Sequence, residues 1–167
     1  MQENNYTQTK NYFKNLAEQS NFINDFVGFF RREWLDRVSS TMKLKSPILA
    51  LYDYRLGFDG PEQKTSTVRK VGFAIMFNNV KSGDLEGQYN AINEAEIMAV
   101  KILSRIRLDS YKENHMLYNA FLKDSVEISP VELSGNEFGV EVTFNLKNIQ
   151  SLKVFKEDWK DIENICS

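Results

Sequence analysis

From about Leu85 to Asp109 the apolar residues Leu85, Tyr89, Ile92, Ala95, Ala99, Ile102 or Leu103, and Ile106 advance by three or four positions each time. That spacing is helical and persists for about seven turns, giving one apolar stripe. Asp84 is placed to cap the start. Asp84, Glu86, Glu94 and Glu96 lie early and Lys101, Arg105 and Arg107 late, which matches the helix dipole. Arg105 and Asp109 are expected to pair at i, i+4 on the exposed face, a contact of only about 0.2–0.5 kcal/mol.

On either side of this helix the apolar period drops to two. Before it, Ile48, Ala50, Tyr52, Tyr54, Leu56 and Phe58 share one face of an extended strand, with Asp53 and Arg55 on the other. Pro47 suits the start of that strand, and Asp59-Gly60-Pro61-Glu62-Gln63 is turn chemistry. A second strand, about Thr67 to Phe77, carries Val71, Phe73, Ile75 and Phe77 inward. Gly72, Ala74 and Met76 make its other face apolar as well, so it is expected to be central. After the helix, Phe138, Val140, Val142, Phe144 and Leu146 alternate with Glu137, Glu141, Thr143, Asn145 and Lys147. With Val126–Leu133 and the turn Ser134-Gly135-Asn136, this predicts an antiparallel hairpin with one face in water. A short helix is expected over His115 to Leu122.

The ends of the chain are less regular. Residues 1–8 are polar and expected to be frayed. Over residues 10–38 Phe13, Leu16, Ile23, Phe26, Phe30, Trp34 and Val38 keep helical spacing. Ser20-Asn21 interrupts them, so one bent helix or two short ones fit. At the other end Leu152, Phe155, Trp159, Ile162 and Cys166 are spaced as a short amphipathic helix within the tail 148–167. The expected fold is a single α+β domain: an antiparallel sheet of about four strands, one long helix packed on it, an N-terminal helical region and a short C-terminal helix. At 167 residues one domain is the default.

Composition removes several kinds of function. With 21 basic and 23 acidic residues the formal charge is −2, which leaves no basic footprint for nucleic acid. Residues 126–167 alone carry a net −4. One His and one Cys cannot build a zinc site; only His115 could be the base for a Ser or Cys nucleophile, and it is expected to be a surface or cap residue, with Cys166 close to the end of the tail. Met1 is followed by Gln, Glu and Asn, with no basic and apolar leader, so a cytoplasmic protein and no membrane contact are expected. Asp53, Asp59 and Glu62 near the first turn are the one set of carboxylates with a possible divalent-metal role, and the plainer reading is that water solvates them. Accordingly no catalytic residue, metal ligand or cofactor is assigned.

The aromatic residues are unevenly spread. Phe13, Phe22, Phe26, Phe29 and Phe30 fall within eighteen positions, with Trp34 close behind. Phe26 and Phe30 suit a core, but Phe22, Phe29 and Trp34 cannot all face the same stripe. Together with Phe155 and Trp159 they are the candidate interface residues. A ligand-binding or regulatory module, with a pocket lined by Tyr52, Tyr54 and Phe73, is the alternative to an assembly protein.

The order of elements resembles that of small α+β neck and tail-terminator proteins of tailed bacteriophages and prophage-like particles. The likeness is carried by three segments: the strand Leu49–Phe58 running into Asp59-Gly60-Pro61-Glu62; the strand Val71–Phe77 leading through Gly83-Asp84 into Leu85–Asp109; and the hairpin ending Phe138-Gly139-Val140-Glu141-Val142-Thr143-Phe144. It spans roughly Ile48 to Lys147, and it is one of layout, with no diagnostic motif. The resemblance implies a non-enzymatic, ring-forming structural protein of the head–tail junction. Its partners would be copies of itself and neighbouring structural proteins, in a bacterial cytoplasm and then in the assembled particle.

Overall fold

The computed structural model describes residues 5–28, 30–39, 44–61, 64–78, 80–81, 83–133, 136–149, 152 and 154–161. The protein is α+β. In chain order the elements are α1 (Tyr6–Gln19), β1 (Asp25–Val27), α2 (Phe30–Ser39), β2 (Ile48–Asp59), β3 (Ser66–Phe77), α3 (Leu85–Asp109), β4 (Phe121–Leu133) and β5 (Glu137–Ile149). Among the described residues the sheet has five strands in the order β1-β2-β3-β5-β4, so it is mixed, not a four-stranded antiparallel sheet. β1 is the addition: it pairs in parallel with the start of β2, while the other pairings are antiparallel.

The N-terminal region is two helices separated by that short strand. Asn5 caps α1 through a reciprocal pair with Gln8, their side chains each bonding the other's backbone N–H at 3.0 and 3.1 Å. Tyr6, Thr7 and Gln8 are therefore helical, where the sequence predicts fraying; residues 1–4 lie outside the described set. Ser20 ends α1 instead of starting a second helix: its hydroxyl donates to the Ala17 carbonyl at 3.0 Å and accepts from the Ile23 N–H at 3.1 Å. The chain then enters β1, whose Phe26 and Val27 point to opposite faces of the sheet.

α1 and α3 cover one face. Phe13, Leu16 and Ala17 of α1 join Ala95, Ala99, Ile102 and Ile106 of α3 over Leu49, Leu51, Val71, Phe73, Ile75, Val142 and Phe144. Asp84 caps α3 by accepting from the Gly87 N–H at 3.0 Å, at the predicted position. The buried stripe of α3 is Ala91, Ala95, Ala99, Ile102 and Ile106. Leu85 and Tyr89, assigned to that stripe by spacing, are exposed. α2 covers the opposite face at one end, where Trp34 packs with Val27, Leu44, Ile48, Ala50, Ala74 and Met76. β3 is central and buried on both faces there, as its doubly apolar sequence predicts.

Two irregularities set which side chains face where. A bulge at Tyr52 shifts the β2–β3 register between Leu51 and Asp53. Ile48, Ala50 and Tyr52 lie on the α2 face, but Tyr54 packs against the α1/α3 core. The single face predicted from Ile48 to Phe58 is thus broken after Tyr52. The second irregularity lies between Leu122 and Glu127 of β4. Ser125 fills it, donating to the Leu122 carbonyl at 2.6 Å and accepting from the Asn145 N–H at 2.8 Å.

The expected helix over 115–122 is replaced by successive turns, with Asn119 at φ 54° and β4 already under way at Phe121. His115 Nδ1 accepts the Leu117 N–H at 3.2 Å, which takes that amide out of a helical ladder. Beyond β5 the described tail holds one 3-10 turn, Lys156–Asp158, in place of an amphipathic helix. Ile162 and Cys166 lie outside the described residues.

Candidate functional site

The five candidate interface residues do not form one surface. Trp34 is only 6% exposed and belongs to the core under α2, which corrects its assignment to an interface. Phe22 is half-buried against the main core, and the Lys101 ammonium lies 5.3 Å from its ring centroid. Phe29 lies outside the described residues. Phe155 and Trp159 are 54% and 57% exposed and flank the 3-10 turn.

The alternative sites suggested by sequence also come apart. Phe73 is fully buried in the main core and Tyr54 packs beside it, whereas the bulge sends Tyr52 to the other face. They do not line a common pocket. Asp53 and Asp59 are six residues apart on β2, roughly 20 Å at the usual strand rise, too far to share an ion. Asp53 pairs with Arg55 at 3.1 Å and Asp59 with Lys147 at 2.6 Å. The Lys147 ammonium, and then the Gly60 N–H, hold the Asp59 carboxyl below its ordinary range. Glu62 lies outside the described residues. Among the described residues no three His, Cys, Asp or Glu side chains gather as a metal site.

Tyr52 instead crosses the sheet. Its hydroxyl donates to Glu141 Oε2 at 3.1 Å, and burial, then the Glu141 carboxylate, push the phenol well above its usual pKa. The ring lies over Gly72, where a Cβ would come within 2.8 Å of Asp53 Cβ and 3.0 Å of the ring. Gly72 is therefore a packing requirement of this crossing.

A tight polar cluster sits where α3 ends. Asp109 is 2% exposed, although spacing predicts an exposed ion pair with Arg105. Its carboxylate accepts from Tyr12 Oη at 3.0 Å, Arg105 Nε at 3.0 Å and Lys112 Nζ at 2.5 Å. Burial pushes this carboxyl up, and the hydrogen bonds from Lys112, Tyr12 and Arg105 outweigh it, so the net shift is downward. The His115 ring meets Tyr12 edge-on at 5.3 Å, and burial lowers its pKa. These groups tie α1 to the end of α3 and the following turns, which is a structural task.

A cleft of about 580 Å³ opens between α1, β1 and α2. Its charged lining residues are Lys10, Lys14, Glu18, Asp25, Glu33 and Arg37. Arg37 bonds Glu33 at 3.1 Å and approaches Asp25 at 3.7 Å, while Lys14 lies 3.7 Å from Glu18. Equal numbers of both signs leave no net field to select a charged ligand.

The largest feature that the spacing argument missed is on the outside of α3. Leu85, Tyr89, Ile97, Val100 and Leu108, with Tyr111 in the turn just beyond, are all about half exposed or more. The signal was present in the sequence, since the spacings from Tyr89 through Asn93, Ile97, Val100, Ser104, Leu108 and Tyr111 are also three or four. These residues are one exposed apolar surface available to a partner; Phe155 and Trp159, and separately Leu35, Leu56, Phe58 and Ile149, are exposed elsewhere. No protein-family model matches the chain, and no curated protein matches it. Among the described residues no helix is long and apolar enough to cross a membrane.

Proposed function

We propose that this chain is a non-enzymatic assembly subunit of a phage or prophage-like particle, at the head–tail neck or as a tail terminator. It works through contacts with copies of itself and with neighbouring proteins, without nucleic acid, membrane or cofactor. The observation that carries the reading is the segment after β5, where Leu152, Val154, Phe155 and Trp159 are all exposed. Aromatic rings held in water at the end of a domain gain free energy by docking into another chain. The choice of particle rests on layout: β2, β3, α3, β4 and β5 follow one another in the order of the neck and terminator proteins that the sequence resembles. A layout argument is an analogy, so it is the oligomer that has to be tested.

The test is light scattering and negative-stain electron microscopy on the full chain and on a Phe155→Ser/Trp159→Ser variant. Closed oligomers are expected for the parent, with a smaller mass and unchanged circular dichroism for the variant. A parent that stays monomeric at high concentration, from a gene lying apart from virion structural genes, refutes the proposal.

A further inference from the structure

The inner and outer faces of α3 differ in residue size. Facing the sheet are Ala91, Ala95 and Ala99, with Ile102 and Ile106. Pointing away from it are Leu85, Tyr89, Asn93, Ile97, Val100, Ser104 and Leu108, with Tyr111 continuing the line. At 100° per residue this second stripe, from Tyr89 onward, runs along the side of the helix roughly opposite Ala95, with Leu85 displaced to one side of it. Tyr89 is 63% exposed and Leu108 56%, so the stripe is open at both ends of the helix as well as at its centre. α3 has 25 residues, about 37 Å of contact line.

We propose that this stripe pairs with the same stripe of a second copy of the chain, the two helices running antiparallel about a two-fold axis set between Met98 and Ala99. The occupant is identified by self-complementarity. That axis brings Ile97 level with Val100 of the second copy, Asn93 with Ser104, and Tyr89 with Leu108. Apolar meets apolar in the middle, an amide meets a hydroxyl on each side of it, and an aromatic ring meets an aliphatic side chain at the outer levels. Every such pair occurs twice, as an isologous interface requires.

The charges select the same orientation. Glu86, Glu94 and Glu96 lie in the first half of α3, and Lys101, Arg105 and Arg107 in the second. Antiparallel alignment sets each acidic half beside a basic one. On one flank Glu94 falls at a level between Lys101 and Arg105 of the second copy, while Glu86 falls level with Tyr111, about one turn from Arg107. Parallel alignment would stack like charges along the whole length, which disfavours it. The pairing uses a different surface from the tail, and it goes beyond the particle reading without resting on it.

Sedimentation equilibrium on the full chain over a wide concentration range, with Ile97→Glu and with Glu94→Lys, Lys101→Glu and their combination, tests the pairing. The parent is expected to reach at least twice the 19.4 kDa chain mass, and the Phe155→Ser/Trp159→Ser variant, which keeps the α3 stripe, should still reach twice that mass. Ile97→Glu, which would place an unpaired carboxylate at the centre of the contact, should weaken association by roughly tenfold to a hundredfold, with an unchanged monomer fold. Each single charge reversal should weaken it, and the double reversal should restore it. That last comparison keeps the proposal falsifiable if Ile97→Glu does not fold. A parent that remains monomeric overturns the pairing, and so does a dimer indifferent to Ile97→Glu and to the charge swaps. A monomer whose thermal stability falls with Ile97→Glu likewise overturns the pairing and shows that the side chain serves its own domain. Loss of mass in the Phe155→Ser/Trp159→Ser variant alone would leave the assembly reading standing while this pairing fails.

Discussion

Replacing Asp109 by alanine separates a buried structural joint from a surface ion pair. The carboxylate accepts three hydrogen bonds, and their surroundings differ. Tyr12 Oη, 3.0 Å away, lies in a part-buried contact, so removing its acceptor costs about 1–3 kcal/mol. Arg105 and Lys112 have side chains 49% and 52% exposed, so water takes over much of their role, leaving about 0.5 kcal/mol each. The expected loss is about 2–4 kcal/mol, and for a chain of this size a fall in Tm of roughly 5–12 °C. Urea unfolding followed through the fluorescence of buried Trp34 measures it. Tyr12→Phe should recover about 1 kcal/mol of the effect, and Arg105→Ala less than about 1 kcal/mol. The pH dependence follows from the downward shift of the Asp109 carboxyl. A carboxyl depressed in the folded state adds stability above its unfolded value and loses it as pH falls through the folded one. The contribution is therefore full near neutrality and drains away below about pH 4. Asp109→Asn cannot titrate and should show a flatter profile over that interval. If Asp109→Ala proves no more damaging than Arg105→Ala, the joint is only a surface pair and the reasoning fails.

Three further perturbations probe the frame around it. Trp34→Ala empties the second core and should lose about 3–5 kcal/mol in chemical denaturation; a loss under about 1 kcal/mol would mean the indole is not core. Gly139→Ala would drive a Cβ into the Ile75 carbonyl oxygen where β5 crosses β3, so more than about 2 kcal/mol or failure to fold is expected, against little change for Gly57→Ala, whose added Cβ meets nothing closer than 3.8 Å. His115, with its pKa lowered by burial, opposes protonation in the folded state, so stability should decline as pH falls below its ordinary value of about 6.5 and His115→Gln should remove that slope in a pH-stability series.

Regular periodicity was readable and tertiary packing was not. The bounds of α3, the cap at Asp84 and the alternation of β5 follow from local chemistry, and the structure places them where spacing does. β1 escaped because three residues cannot display a period of two, and its strand identity depends on pairing with Ile48–Ala50, more than twenty positions away. Trp34 looked surplus because its neighbours Ile48, Ala50, Ala74 and Met76 are distant in sequence. The bulge at Tyr52 is a one-residue event that no alternation count reveals, yet it reversed the facing of Tyr54 relative to the predicted row and dissolved the suggested pocket. Asp109 read as exposed because the position of a charge on a helix does not disclose which turn will fold over it.

The outer stripe of α3 follows a different logic. Close approach of a helix to a twisted sheet favours small residues at the contact, and Ala91, Ala95 and Ala99 meet that need. The alanines let the helix approach closely, and Ile92, Met98, Ile102, Leu103 and Ile106 supply the larger contacts with the core. A second set of large side chains, Leu85, Tyr89, Ile97, Val100 and Leu108, lies on the side away from the sheet and is exposed. Full burial of such a side chain is worth about 1.5–3 kcal/mol relative to water, and each of these is about half exposed or more. The exposed half of each side chain adds nothing to the domain's own core, so a polar residue at any one of these positions should cost the fold little. Such a stripe, with Asn93 and Ser104 set symmetrically about its centre, has the chemistry expected of a surface that meets a second helix.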